Sequence, residues 1–128
     1  MKRNTRKGFT LVEIMIVVLI IGILLAIAVP NFVRARQNSR VQTVVSNLKQ
    51  IEAAKEQWAM DTGASSTAAV TSANLVPNYL KSWPVGPVGT GTDYVPGAMD
   101  ADPTFRGRTA RQFSDAATRA ASITAAGL

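Results

Sequence analysis

The sequence predicts an α+β fold in which a long N-terminal α-helix, hydrophobic over its first half, packs under a small C-terminal domain with a short helix and short antiparallel strands. Three observations predict this fold. Residues 9–29 are almost entirely apolar and carry a single charge. Residues 41–58 place apolar side chains at helical spacing. Residues 83–97 contain three prolines and four glycines, which permit only short extended pieces such as residues 93–95.

The long helix follows from length and periodicity. As a helix, the 21 residues of the apolar run are about 31 Å long, which matches the hydrocarbon thickness of a bilayer. Asp61, Thr62 and Gly63 then predict its end. The predicted segments are a basic leader (1–8), a long helix (9–61, with 9–30 transmembrane and 31–61 amphipathic) and a small globular C-terminal domain (62–128) with an Ala-rich tail.

The C-terminal domain is less regular in sequence. Residues 62–74 are small and polar, which indicates a loop, and Ser72 or Asn74 is expected to cap a short helix through Leu80. The Ala-rich end after Arg106 is either a helix or a tail that frays. The aromatic residues expected in the domain core are Trp58, Tyr79, Trp83 and Tyr94.

Composition argues against catalysis and cofactors. The 128 residues include no Cys and no His, so there is no disulfide, no thiolate metal site and no histidine base. The eight acidic residues show no motif of paired catalysis, and we expect neither an enzyme nor a bound metal or cofactor. Four of the 14 Lys and Arg residues lie in the first eight positions, so without them the net charge of +6 falls to +2.

Glu13 is the one charge in the apolar run. An unpaired carboxylate in hydrocarbon costs about 2.5–3.5 kcal/mol on insertion scales, and such residues usually have a partner. No Lys, Arg or His lies within the run to pair with it. If the chain were cut before Phe9, the new α-amino group of a neighbouring molecule could supply the positive charge. Glu13 would then fix the register between identical helices.

The sequence around this residue resembles a known motif. Gly8 followed by FTLVEIMIVVLIIGILLAIAVPNF is similar to the prepilin N-terminal motif of type IV pilins and type II secretion pseudopilins, over residues 1 to about 36. The resemblance implies a pilin-like fold and cleavage between Gly8 and Phe9 by a prepilin peptidase. It also implies N-methylation of Phe9, and neutralisation of the Phe9 amine by Glu13 of an adjacent subunit. Residues Gly22 to Pro30 correspond to the part of pilin helices that can unwind in the filament.

The resemblance also implies partners and a location. The subunit would lie in the bacterial inner membrane as a single-pass protein with a cytoplasmic leader, and then in an extracellular pilus filament with residues 9–30 in its core. Its partners would be copies of itself in a helical homopolymer, the prepilin peptidase, and the assembly platform and ATPase. Residues 74–105 look like the C-terminal domain of short bacterial pilin-like proteins, but the cysteine pair frequent there is absent. Asp93, Asp100 and Asp102 do not show the spacing of the calcium loop expected of a major pseudopilin.

Four alternatives remain open. The same architecture could serve as a type II secretion pseudopilin rather than as a pilus subunit for motility, adhesion or DNA uptake. An ordinary signal peptide cut after Ala26-Ile27-Ala28 would release a binding module from Val29. A simple single-pass anchor would let Glu13 reach the membrane interface. DNA could bind Arg34, Arg36 and Arg40, although three arginines beside a helix more often form a solvated or subunit-pairing surface.

Overall fold

A computed structural model describes residues 8–89 and 91–128 and confirms the α+β fold. Positions 1–7 of the expected leader lie outside the described residues. The described part of the chain contains one long helix, short helices and a small antiparallel sheet. The elements in chain order are α1 (Leu11–Thr62), α2 (Ser72–Leu75), a 3₁₀ turn (Gly91–Asp93), β1 (Tyr94–Val95), β2 (Thr104–Phe105), β3 (Arg108–Thr109), α3 (Ala110–Ser114) and α4 (Arg119–Ala126).

The long helix α1 runs without interruption through Pro30 and ends at Thr62, as the sequence predicts. Gly63 follows with a φ of 64°, the left-handed conformation in which glycine commonly ends a helix. Tertiary contacts divide the described chain into two units, one up to Arg36 and one from Gln37 to Leu128. The second half of α1 therefore belongs to the same compact unit as the C-terminal residues.

One face of α1 forms the base of the core in the second unit. Its buried positions recur at intervals of three and four residues, so they lie on one side of the helix. Tyr94 of β1 and Phe105 of β2 pack above this face, with ring centroids 4.8 Å apart. Trp58, Tyr79 and Trp83 pack against the core partly buried, and Tyr94 is buried, in agreement with the expected aromatic core. The buried positions of α1 are Val41, Val44, Val45, Leu48, Ile51, Ala54 and Lys55.

The sheet is a meander in the order β1-β2-β3, with antiparallel pairing throughout. The expected short antiparallel strands are present: β1 lies at the extended piece expected at residues 93–95, while the positions of β2 and β3 were not predicted. Arg106 and Gly107 connect β2 to β3 with φ values of 47° and 75°. Two positive φ angles fit the right-handed twist of a two-residue hairpin.

The short helix differs from the sequence prediction. It ends at Leu75 rather than Leu80, and its N-cap is Thr71 rather than Ser72 or Asn74. Thr71 N donates to the Asn74 side-chain oxygen at 2.9 Å, which makes Asn74 the third helical residue of a capping box. Val76 is extended because it precedes Pro77, and proline disfavours helical geometry in the residue before it.

The Ala-rich end is helical and anchored. Within α4, Ser122 and Ala126 are buried, and Arg119 donates to Asn38 Oδ1 at 3.0 Å. Arg106 donates through Nη1 to the Ala126 carbonyl at 2.8 Å, and its Nε lies 3.1 Å from Asp93 Oδ1. The segment after Arg106 is thus neither one helix nor a fraying tail: it contains β3 and the two short helices α3 and α4.

Candidate functional site at the start of the long helix

The first turn of α1 places Glu13 in a local hydrogen-bond network with Thr10. Glu13 N donates to Thr10 Oγ1 at 3.2 Å, and Thr10 N donates to Glu13 Oε2 at 3.3 Å. The Thr10 hydroxyl also donates to Glu13 Oε2, at 3.4 Å. This reciprocal pair is a capping box, in which the residue before the helix and the third helical residue each accept the other's backbone N–H. The negative charge of Glu13 also suits the positive end of the helix dipole.

Sequence reasoning missed the role of Thr10. The signal was available, because a threonine followed three residues later by glutamate, just before an apolar run, is the pattern of a capping box. It gives Glu13 a partner within its own chain. A carboxylate at this position therefore has a local structural role besides any role between subunits.

The expected cleavage residues lie just before the helix. Gly8 and Phe9 precede Leu11, where α1 begins, and Phe9 is 81% exposed. A Cβ added at Gly8 would meet no atom within 4 Å. Within the described part of the chain, both Gly8 and Phe9 are thus exposed, and Phe9 is four positions from Glu13 along the chain.

Beyond Glu13, the first part of α1 exposes its apolar side chains on every face. This helix is long and apolar enough to cross a membrane, as judged by length and composition alone, and none of its most apolar 18-residue stretch is buried. Its large apolar side chains are about half to four-fifths exposed, which far exceeds what a water-exposed monomer normally tolerates. Lipid or other apolar helices must cover these side chains: Leu11, Val12, Ile14, Met15, Ile16, Val17, Val18, Leu19, Ile20, Ile21, Ile23, Leu24, Leu25, Ile27, Val29, Phe32 and Val33.

Gly22 and Pro30, the expected points of flexibility, both lie inside α1. A Cβ added at Gly22 would meet nothing within 4 Å beyond the helix itself. Pro30 lacks an N–H, so the carbonyl of Ala26 has no i+4 donor. Both residues weaken the helix locally, yet α1 is continuous between them. Gly22 and Pro30 lie 9 and 17 residues after Glu13 on the same helix, so they do not form one site with it.

A second polar site, which the sequence reading also missed, is centred on Lys55. The ammonium Nζ donates to three main-chain carbonyls, those of Pro96, Ala98 and Ala101, at 2.8, 2.7 and 2.7 Å. Lys55 is only 2% exposed. The signal was its position four residues after Ile51, which places it on the apolar face of α1 rather than beside it.

Burial lowers the pKa of the Lys55 ammonium from its ordinary value of 10.5, because desolvation disfavours the charged form. The carboxylates of Glu52, Asp102 and Asp100 act in the opposite direction and raise this pKa. Among the described residues, no group of three or more acidic side chains is arranged to hold a metal ion.

Comparisons with known proteins address the family. A family model described as the prokaryotic N-terminal methylation motif matches residues 3–29, which include Gly8, Phe9 and Glu13. In an alignment 109 positions long, the sequence is 33% identical to type II secretion system core protein G of Pseudomonas aeruginosa, and the alignment covers 74% of this chain and 77% of that protein. The chain belongs to the family of type IV pilins and type II secretion pseudopilins.

Other members of the pilin and pseudopilin family match over shorter segments. Core protein G of Klebsiella michiganensis is 39% identical over 61 residues, which is 48% of this chain and 43% of that protein. The type IV major pilin protein PilA of Myxococcus xanthus is 48% identical over 52 residues, which is 41% of this chain and 24% of PilA. This chain thus spans less than half of these two relatives. No solved structure matches it significantly.

Proposed function

We propose that this chain is the structural subunit of a type IV pilus-like filament. In this proposal a prepilin peptidase cleaves the bond between Gly8 and Phe9 and methylates the Phe9 amine. The subunit waits in the inner membrane with its leader in the cytoplasm, and an assembly platform and ATPase then add it to a helical homopolymer. The filament would serve motility, adhesion or DNA uptake, and the subunit would not be an enzyme.

The observation that carries this proposal is the unburied apolar segment of α1. None of its most apolar 18-residue stretch is covered by the rest of the described chain, so the segment needs an apolar environment supplied from outside. A bilayer supplies it before assembly, and parallel copies of the same helix supply it in a filament. The only charge on this segment lies in its first turn, where a neighbouring amine can reach it.

The first test is the intact mass and N-terminal sequence of the protein purified from its native cells. A chain that begins at Phe9 and carries one extra methyl group supports processing as a prepilin. A chain that begins at Val29 would show that Glu13 is discarded with a signal peptide, and it would refute the proposal. A chain that retains residues 1–8 in assembled filaments would refute the cleavage step.

Glu13 variants test the assembly step. Glu13→Gln keeps a side-chain oxygen that can accept the Thr10 N–H but removes the charge. We expect the membrane form to remain and the amount of sheared filament to fall at least about tenfold, because the Phe9 amine of the neighbour loses its counter-charge. Glu56→Gln, on the exposed part of the same helix, is the matched control and should assemble normally. Normal filaments from Glu13→Gln would contradict the register role.

A second candidate function, a type II secretion pseudopilin, is favoured by the extent of the similarity. The match to core protein G covers 74% of this chain, whereas the match to PilA covers 41%. The longer match takes in part of the C-terminal domain, because 74% of this chain is more than residues 1–62. Deletion of the gene decides between the functions: loss of surface motility or DNA uptake supports the pilus, and loss of a secreted enzyme from the medium supports the pseudopilus.

A further inference from the structure

The connection from β1 to β2 is folded around the ammonium group of Lys55. Three carbonyl oxygens within six residues of this connection converge on one nitrogen at 2.7–2.8 Å. Carbonyls that point inward to a common centre repel one another unless a cation or several donors lie between them. An ammonium group has three donors and no acceptor, so these three carbonyls match its hydrogen-bonding capacity.

We propose that the carbonyls of Pro96, Ala98 and Ala101 form a binding site for a primary ammonium group, which Lys55 fills from within the chain. The site suits a primary ammonium group at the end of a short alkyl chain, since Lys55 lies among the buried positions of α1. The proposal concerns the C-terminal domain and is independent of the filament type.

The surroundings of the site favour a positive charge. Glu52, Asp102 and Asp100 all act on Lys55 as nearby negative charges. Without the ammonium, the three carbonyls would converge with no donor between them. The loop also pairs with the preceding segment, because Met99 N donates to the Ala68 carbonyl at 3.0 Å and Ala98 bridges to Ala69. The lysine therefore joins α1, the loop and the residues before α2.

The test removes most of the Lys55 side chain by mutation and supplies the removed part as a small molecule. Lys55→Ala removes three carbon atoms and the ammonium group, which together correspond to n-propylammonium. We expect this variant of the full chain, in detergent, to unfold on the order of 10 °C or more below the parent protein. Added n-propylammonium should raise its Tm by about 5 °C at a concentration tenfold above the Kd, with no such rise in the parent protein.

Two probes and one variant give the controls. Tetramethylammonium has the charge but no N–H donors, so it should not restore Lys55→Ala. In Lys55→Met the methionine side chain fills the space of the lysine alkyl chain, so n-propylammonium should not raise the Tm of this variant either. Equal stability of Lys55→Met and the parent protein, or a folded Lys55→Ala variant that ignores n-propylammonium, would overturn the proposal. A rise in the Tm of Lys55→Ala with Ca²⁺ but not with n-propylammonium would identify a metal site instead and would also overturn it.

The parent protein provides a measurement that does not depend on a folded variant. A buried ammonium group with three acceptors exchanges its protons slowly, so ¹⁵N NMR at neutral pH should show one protected lysine NH₃⁺ signal that Lys55→Arg removes. A chelator should leave the Tm of the parent protein unchanged. Absence of the protected signal, or a fall of the Tm in the chelator, would refute a site filled by lysine.

Discussion

Leu48→Ala is the substitution that best tests whether the second half of α1 is the base of the C-terminal domain. Leu48 has no exposed surface and lies in the middle of the buried face of α1. Replacing a fully buried leucine by alanine costs about 2–5 kcal/mol, through lost burial and the cavity that remains. In a domain of 60–100 residues, 1 kcal/mol shifts the Tm by roughly 4–8 °C. A loss of about 3 kcal/mol should therefore lower the Tm by about 12–24 °C.

Thermal unfolding of the purified full chain in detergent, followed by near-ultraviolet circular dichroism, measures this shift. Lys49→Ala is the matched control, because Lys49 is the next residue on the same helix and is exposed. Its Tm should change by less than about 4 °C, as expected for a surface site. If Leu48→Ala unfolds at the same temperature as Lys49→Ala, then α1 does not contribute its buried face to this domain and the described core is incorrect.

Two further predictions concern the start of α1 and the response to alkaline pH. Thr10→Val removes the hydroxyl bonded to Glu13, so the first turn of α1 should lose about 1 kcal/mol of stability and exchange its amide protons faster. Thr10→Ser keeps the hydroxyl and should not have this effect. Equal amide exchange in both variants would contradict the capping box. Burial raises the pKa of the Tyr94 hydroxyl above 10.0, although the hydrogen bond from Asn47 acts in the opposite direction. The unfolded chain therefore loses this proton at a lower pH than the folded chain. The free energy of unfolding should thus fall as the pH rises above 10.0. Urea unfolding between about pH 9 and pH 11 should show a smaller fall in Tyr94→Phe than in the parent protein, and equal falls would refute the assignment.

The features that sequence predicted correctly are those specified by local patterns. The spacing of apolar residues specifies α1, and Gly63 specifies its end, because both depend on residues within a few positions of one another. The extended piece at β1 likewise follows from a short run between turn residues. The cap of α2 was expected at Ser72 or Asn74, one or three residues after the observed Thr71, because threonine, serine and asparagine are all suitable caps and only the backbone decides between them.

The capping box of Thr10 and Glu13 is a local feature that the sequence reading missed, whereas the other features that it did not predict depend on contacts between distant residues. The hairpin of β2 and β3 turns at Arg106 and Gly107, and arginine with a positive φ is not a usual hairpin signal. Arg106 adopts this conformation where its side chain reaches both Asp93 and the Ala126 carbonyl, 13 and 20 residues away. The role of Lys55 is of the same kind: its spacing from Ile51 places it on the apolar face of α1, but its three carbonyl acceptors lie 41 to 46 residues further along the chain.

The local partner of Glu13 is compatible with the intermolecular partner that we propose for it. Its bonds to Thr10 are 3.2–3.4 Å long, whereas a charged donor bonds a carboxylate at about 2.7–2.9 Å. The local bonds are therefore the weaker kind, sufficient to hold the carboxylate at the first turn of α1 but not to compete with an ammonium group. In an apolar surrounding, pairing with the amine of a neighbour gains more because the effective dielectric constant is low. The capping box thus holds Glu13 in position in the single subunit. In the proposed filament, the amine of a neighbouring subunit would be the stronger, charged partner of the same carboxylate.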